Sequence, residues 1–335
     1  MTDDLRIGVV GTGAIAQVAH LGLLSRLKGV QLAGLCDIDL PKAQALATRF
    51  GIPSVFDDIE DLLRYAKPDA VVVCTPNHLH EIHVQTALSA GAHVLCERPL
   101  ATSVAGVKKL QELQRRAGRV VMVGMNYRFR SDVQVLRGFL SGGELGAVTG
   151  VRAGWYLLRP VGSAAGWRER RPESGGGAML DLGLPLVDLA LWLAGCPNAK
   201  LVTGVHRPSE DGGVEDAACA LIVCEGNLSI FVDVSWRHVG QHEQFWFELI
   251  GREGSAGLGP LKVFKMMNAA PMNVTPVGAQ GREDALTMSY RAEWAHFLAT
   301  VRGDVPAPNL DDQVALHRTM EAIARSAAEG RAVEL

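Results

Sequence analysis

The 335-residue chain contains no run of about 20 consecutive apolar residues, the length a bilayer-spanning helix needs. At Met1–Arg6 no basic region leads into an apolar stretch, so no secretory leader is expected. There is no basic run and no arginine stripe, and with a net charge of −3 the chain is not expected to bind nucleic acid. Six cysteines, Cys36, Cys74, Cys96, Cys196, Cys219 and Cys224, show no C-x-x-C spacing. Cys36, Cys74 and Cys96 each close an apolar, strand-like run, where cysteine behaves as a small buried hydrophobe. That usage argues against a disulfide framework and for the reducing cytoplasm. A catalytic thiol at Cys96 is the lesser reading. His78, His80 and His83 lie close together, but no cysteine or paired carboxylate completes a ligand set, and no metal is expected.

What is present begins near the N-terminus. The apolar run Ile7–Val10 ends in Gly11-x-Gly13-x-x-Ala16, and Ile15, Ala19, Leu23 and Leu27 then recur every four residues, the face of an amphipathic helix. Strand, glycine turn and helix together form the context of a dinucleotide-binding fingerprint. Gly11 permits the tight turn, Gly13 lets the backbone approach a pyrophosphate, and Ala16 still allows close helix–strand packing. The helix start at Ala14 and Ile15 offers unpaired N–H groups and a positive dipole end to phosphate. A second apolar run, Val30–Cys36, ends at Asp37, whose carboxylate can accept both hydroxyls of an adenine ribose and would repel a 2′-phosphate. No Arg or Lys follows until Lys42, so NAD is favoured, with NADP left open.

The β–α alternation continues. Helix is expected from about Pro41 to Phe50, strand at Ser54–Phe56, a helix start at Asp57–Glu60 and a buried strand at Asp69–Cys74. A turn follows at Thr75-Pro76-Asn77-His78, then helix from about Leu79 to Ala90, strand Ala92–Cys96, Glu97-Arg98-Pro99, helix from about Ser103 to Ala117, and strand Val120–Val123. Such alternation implies a parallel sheet with right-handed crossovers, and ligands beyond the carboxyl ends of its strands. Thr75–His80 and Glu97–Pro99 leave two of those ends, where the nicotinamide half of a cofactor is expected; His80 is read there as a hydrogen-bonding group. At about 150 residues per domain the length suggests two domains. They are placed at 1–124 and 125–335. In the second, Val148–Tyr156, Ala218–Val223 and Leu228–Trp236 read as strands. Residues 162–177, rich in Gly, Arg and Ser, read as a loop entering a helix. Trp294, Phe297, Leu298 and Val301 share one helical face, Leu316, Met320, Ile323 and Ala327 another, with Pro306-Ala307-Pro308 between.

The strand-terminal Glu97-x-Pro99, the segment Asn126-Tyr127-Arg128-Phe129 and Gly175-Gly176-Gly177-Ala178-Met179-Leu180-Asp181-Leu182-Gly183 resemble the Gfo/Idh/MocA oxidoreductases. Phe247–Gly254 and Ala322–Ala327 carry the likeness further, over essentially the whole chain. The resemblance implies an α/β fold: an N-terminal Rossmann doubly wound parallel sheet, then an α+β domain with a large, open, mostly antiparallel sheet. It implies a tightly held NAD or NADP and a sugar, polyol or related substrate. The outer face of the second sheet would form a homodimer or homotetramer interface. Carried over by motif, Gly11, Gly13, Ala14, Ile15, Asp37, Thr75, Pro76, Asn77, His80, Glu97, Arg98 and Asn126 would contact the cofactor.

Two positions depart from the family pattern. The usual proton-transfer groups are a Lys in Glu-Lys-Pro and a His in Asp-x-Gly-x-His; here Arg98 and Pro185 stand in those places. Proline has nothing to titrate and removes a helical hydrogen bond, and arginine effectively never releases its proton. Reduction of a carbonyl still needs a proton, and the reverse reaction a base. The leading expectation is therefore an NAD(P)-dependent oxidoreductase with Arg98, Asp181 and Tyr156 as catalytic groups, Arg98 steadying negative charge. His238 and His80 are further proton-transfer candidates. Arg128, Trp167, Arg168 and Asp188 are read either as ligand contacts or as ordinary packing and surface residues. The alternatives are a non-catalytic nucleotide-binding sensor or partner protein, and an NAD-dependent glycosidase-type enzyme.

Overall fold

The computed structural model describes residues 4–158, 166–208, 213–276 and 285–335. Residues 162–165, part of the loop expected before Gly177, lie outside them. The chain divides into two compact units. One comprises Met1–Met125 with Tyr290–Leu310, the other Asn126–Ser289 with Asp311–Leu335. The return of 290–310 to the first unit departs from a division into two continuous segments. Packing explains it: Trp294, Phe297 and Leu298 are buried in one core with Ile7, Val9, Leu21, Leu24 and Leu35.

The first unit holds β1 (Leu5–Val10), β2 (Val30–Cys36), β3 (Val55–Phe56), β4 (Ala70–Val73), β5 (His93–Glu97) and β6 (Val121–Gly124). They form an all-parallel sheet in the order β3-β2-β1-β4-β5-β6. The four residues of β4 are fully buried, as an unbroken apolar run covered on both faces must be. The helical segment after the glycine turn, α1, is π-wound through Ala16–Leu21 and closes with Gly22–Leu24. The wider turns alter the expected face: Ala16, Ala19, His20, Leu21 and Leu24 are buried, while Ile15, Leu23 and Leu27 pack only partly against the core. Helix α2 (Leu40–Phe50) starts where the Asp39 carboxylate accepts the Lys42 N–H. The short α3 (Ile59–Asp61) runs on through π-wound Leu62–Ala66. Helix α4 (Asn77–Ser89) starts two residues before the expected Leu79, with the Leu79 N–H already bonded to Pro76 O. Asn77 and His78 fit that first turn because its N–H groups need no intrahelical partner. Helix α5 (Val104–Ala117) is capped by Ser103.

The second unit begins with α6 (Ser131–Ser141) and β7 (Val148–Leu158), followed by the single-turn α7 (Arg171–Ser174). A π-wound segment, Met179–Gly183, enters α8 (Leu184–Leu193). Pro185 lies within an unbroken helical run, 178–193, just after the Leu184 N–H reaches back five residues to Met179 O. The missing donor falls where the winding already changes. Eight strands complete the sheet: β8 (Ala199–Pro208), β9 (Glu215–Cys224), β10 (Ser229–His238), β11 (Gln244–Gly251), β12 (Gly254–Leu258), β13 (Lys262–Met267), β14 (Ala270–Asn273) and β15 (Val333–Glu334). Their order is β14-β13-β12-β11-β7-β10-β9-β8-β15, antiparallel except for the β7–β10 pair. Helix α9 (Ala285–Arg302) crosses from the second unit into the first at Tyr290. Helix α10 (Asp311–Glu329) packs on β8, and α8 packs on β7 and β10.

Those helices define an inner face, carrying buried Val151, Ala153, Ile230, Val232, Val234 and Trp236. The alternate residues, Arg152, Gly154, Tyr156, Phe231, Asp233 and Ser235, belong to the outer face. By length and composition the stretch Arg171–Leu193, from α7 through α8, is apolar enough to cross a membrane, although bends at 175–177 interrupt its helix. Of its most apolar 18 residues, 78% are buried inside the protein, as in a core helix.

Candidate functional site

The first unit builds a dinucleotide cradle from strand ends. Gly11 has φ +88°, and a Cβ there would lie 2.8 Å from the Cys74 carbonyl and Thr75 N, so only glycine lets the turn pass under the end of β4. Above Gly13 no atom lies within 4 Å of where a Cβ would be. The space over Gly13, Ala14 and Ile15 therefore faces the first N–H groups of α1, the donor set a pyrophosphate requires.

At the end of β2 the Asp37 carboxylate is ringed by donors. Oδ2 accepts from Thr12 N and Thr12 Oγ1, both at 2.7 Å, and Oδ1 from Asp39 N at 2.9 Å and Lys42 Nζ at 3.1 Å. Burial opposes its charge, but these hydrogen bonds outweigh it and hold the carboxyl below its ordinary value. Thr12, fully buried, was not singled out by spacing.

At the ends of β4 and β5 the expected nicotinamide-side residues brace one another. His80 is 1% exposed; its Nδ1 meets Pro99 O at 2.6 Å and its Nε2 meets Thr75 O at 2.8 Å. Both ring nitrogens face backbone carbonyls, and burial pulls the pKa down; the neutral ring has one N–H and donates to one of the two at a time. The expected hydrogen bond from this ring to a ligand is replaced by a strut joining the two strand ends. His83, which burial pushes to about 4, is neutral at pH 7 and meets the Thr75 hydroxyl at 3.1 Å. Pro76 caps α4 and Asn77 opens it.

Glu97 belongs to a buried cluster that spacing did not reveal. Trp294 Nε1, a donor only, gives its hydrogen to His20 Nδ1 at 2.9 Å. His20 must then carry its own proton on Nε2, which donates to Glu97 Oε1 at 2.9 Å. Burial alone would raise the Glu97 carboxyl, but this bond and the nearby charge of Arg98 hold it below the carboxylate range. Beside it Glu293 is fully buried, with no hydrogen-bond partner for either oxygen among the described residues. Burial and the neighbouring Glu97 push that carboxyl well above the ordinary range, so it is held as a neutral acid. Both His20 and Glu293 fall inside apolar helical stripes, which is why the pattern hid them.

In the second unit Asp181 lies in the π-wound turn before α8. Trp236 Nε1 on β10 donates to its Oδ2 at 3.0 Å, and Arg168 Nε faces Oδ1 at 3.6 Å. Glu215 on β9 accepts from Gly177 N at 2.9 Å and Met179 N at 3.3 Å, anchoring the start of that segment. A side chain on Gly177 would meet Glu215 O at 2.0 Å. Trp167 stacks under the Arg168 guanidinium, 4.5 Å from its ring centroid. Tyr156 is a correction. Its hydroxyl donates to Asp233 at 2.6 Å and its ring packs on Trp246, all on the outer face of the sheet, whereas Asp181 and Trp236 meet on the inner face. Tyr156 and Asp181 therefore cannot serve one site, and burial pushes the tyrosine to about 12. The His238 ring lies tilted against Tyr156, with centroids 5.6 Å apart, at that end of the sheet. The inner-face aromatic is the adjacent Trp155, in a cluster with Tyr127 and Phe245 that alternation along Val151–Ala153–Trp155 could have identified. Arg128 and Asp188 form a bidentate pair, with Asp312 on the other side of the guanidinium at 2.7 Å; this is packing, not an open contact. Asn126 is 4% exposed and donates to Ser289 Oγ at 3.1 Å. Among the described residues no group of three or more His, Cys, Asp or Glu side chains could hold a metal.

Residues 5–125 match the family model described as an oxidoreductase family with an NAD-binding Rossmann fold, and residues 133–257 match the GFO/IDH/MocA C-terminal domain. This chain belongs to the Gfo/Idh/MocA oxidoreductase family. Its first unit is an NAD-binding Rossmann domain, and named relatives are dehydrogenases and reductases. The D-glucoside 3-dehydrogenase of Escherichia coli (strain K12) is 36% identical over 205 residues, 60% of this chain and 57% of that relative's length. A putative UDP-kanosamine synthase oxidoreductase subunit of Amycolatopsis mediterranei (strain S699) is 30% identical across 77% of this chain and 75% of its own. The crystal structure of GenD2 from gentamicin A biosynthesis, in complex with NAD, superposes with a TM-score of 0.86 at 30% identity, covering 100% of this chain and 97% of that one.

Within this Gfo/Idh/MocA chain the residues present fit a dinucleotide: the open turn at Gly13, the first N–H groups of α1 and the Asp37 carboxylate supply a phosphate cradle and a ribose acceptor.

Proposed function

We propose that this protein is an NAD-dependent dehydrogenase or reductase acting on a sugar, polyol or related hydroxy or carbonyl compound. The names of its relatives, a glucoside 3-dehydrogenase, a glucose-6-phosphate 3-dehydrogenase and a 1,5-anhydro-D-fructose reductase, support the substrate class. The bound cofactor supplies or accepts hydride. Residues 11–15 hold its pyrophosphate and Asp37 its adenine ribose, while Thr75, Pro76, Asn77, Glu97 and Arg98 shape the strand ends on the nicotinamide side. Arg98 keeps its charge throughout and steadies developing negative charge. Asp181 moves the proton, oriented by Trp236 and Arg168. The observation that carries this reading is the Asp181 carboxylate held by an indole N–H on the inner face, in a motif that has lost its histidine.

The outer sheet face is where copies of the chain meet, as a homodimer or homotetramer. Leu221, Ile250, Phe264 and Met266 expose apolar surface there. Six unpaired cysteines suit the reducing cytoplasm.

The test is titration with NADH and NADPH beside Asp37→Ala, followed by a sugar and polyol panel beside Asp181→Asn. Tight NADH binding lost in Asp37→Ala, and turnover lost in Asp181→Asn with NADH binding intact, are expected. Nucleotide binding with no turnover on any substrate would make the chain a sensor. No binding of either nucleotide at millimolar concentration overturns the oxidoreductase reading altogether.

A further inference from the structure

An ionised carboxylate has about four lone-pair positions. At Asp37 all four are occupied: Thr12 N and Oγ1 on one oxygen, Asp39 N and Lys42 Nζ on the other. A ribose diol can hydrogen-bond there only by displacing one of these donors. Two are backbone N–H groups fixed by the turn, and the third belongs to a threonine that is fully buried. Lys42 is different. Its side chain is 36% exposed, it reaches Asp37 from the first turn of α2, and it has a second partner in Asp39 Oδ2 at 3.8 Å. Around it the end of β2 is acidic: the Cys36 thiol is pushed up first by burial and then by the nearby charges of Asp58, Asp37 and Asp57. Without Lys42 that end would repel a 2′-phosphate strongly. With it, a cation already stands beside the carboxylate that reads the 2′ position.

We propose that Lys42 sets the dinucleotide preference of this chain: it closes the Asp37 carboxylate until a ribose hydroxyl displaces it, and once displaced it serves as the cation for a 2′-phosphate. This rests on the cofactor reading above. It gives Lys42 two opposite effects. Against NADH it is a competitor, because its ion pair must break. Toward NADPH it is a ligand. Position alone would not show this, since Lys42 lies five residues beyond Asp37 and looks like an ordinary exposed residue on α2.

The purified full-length chain and its Lys42→Met and Lys42→Gln variants are titrated with NADH and with NADPH, following cofactor fluorescence at low and high salt. Loss of a half-exposed ion pair should tighten NADH by about two- to fivefold. Loss of a charged hydrogen bond to phosphate should weaken NADPH by about tenfold or more. Salt should weaken NADPH binding more in the parent than in the variants. A parent that binds NADH while the variants keep its NADH-to-NADPH affinity ratio overturns the inference and leaves the cofactor reading standing. A parent that binds neither nucleotide overturns both.

Discussion

The two units of this chain put chemistry in different places. In the Rossmann unit it gathers at the ends of parallel strands, at Gly11–Gly13, Asp37, Thr75 and Glu97, positions that spacing along the chain can locate. In the second unit it depends on which face of a nine-stranded sheet a side chain occupies, and adjacent residues face opposite ways. Trp155 and Tyr156 are neighbours in sequence and on opposite faces. The units also keep buried charge differently. The second neutralises it with an arginine held between two aspartates, Arg128 between Asp188 and Asp312. The first meets Glu97 with the ring of His20 and encloses Glu293, whose carboxyl burial pushes well above the ordinary range.

The largest effect should come from Arg128→Met, which strands Asp188 with its side chain 3% exposed. A loss of about 3–5 kcal/mol in denaturant unfolding is expected. A loss below about 1 kcal/mol would show that the second unit does not depend on that cation. Gly11→Ala forces a Cβ to 2.8 Å from the backbone at φ +88° and should cost about 2–4 kcal/mol, together with nucleotide binding. Equal stability with only binding lost would separate cradle from fold.

The Rossmann cluster should show two pH dependences of opposite sign. Glu97, held below the carboxylate range, adds stability above that range, and this is lost as pH falls through its lowered pKa. Glu293, held well above it, adds stability at acid pH, and this is lost as pH rises through its raised pKa. Glu293→Gln should therefore match the parent at about pH 5 and exceed it at about pH 9, measured by denaturant unfolding. A parallel pair of curves would mean that Glu293 finds a partner when ionised.

The smallest effects test the two sheet faces directly. Trp236→Phe removes one hydrogen bond to Asp181, worth about 1 kcal/mol, and should lower kcat roughly fivefold with less change in KM. Tyr156→Phe should leave kcat within about twofold and act, if anywhere, on the oligomeric state measured by light scattering. Reversed results would return the site to the outer face.

Much of the first unit was legible because local patterns and fold agree there: the glycine turn, the apolar strand of β4 and the carboxylate closing β2 are each dictated within a few residues. The second unit was legible as strands and helices but not as a site. Tyr156 was misassigned because a tyrosine on a strand announces its chemistry and not its face, although the buried Val151–Ala153 parity gave the answer one residue away. Trp236 and Glu215 were missed because their partners, Asp181 and the N–H groups of Gly177 and Met179, are tens of residues distant. His20 and Glu293 were hidden inside apolar stripes.

By itself, then, the sequence determined the class of fold, the glycine turn, the acidic residue that closes β2 and the Arg98 and Pro185 that follow Glu97 and Gly183-Leu184, because each depends on neighbours within one turn or strand. Only the tertiary structure decided that His80 sits between two strand ends, that Lys42 pairs with Asp37, that Tyr156 and Asp181 are divided by a sheet, and that Glu293 has no hydrogen-bond partner among the described residues. Hydrogen bonding and burial act through space, and residues far apart in the chain meet only after the sheets have set their register.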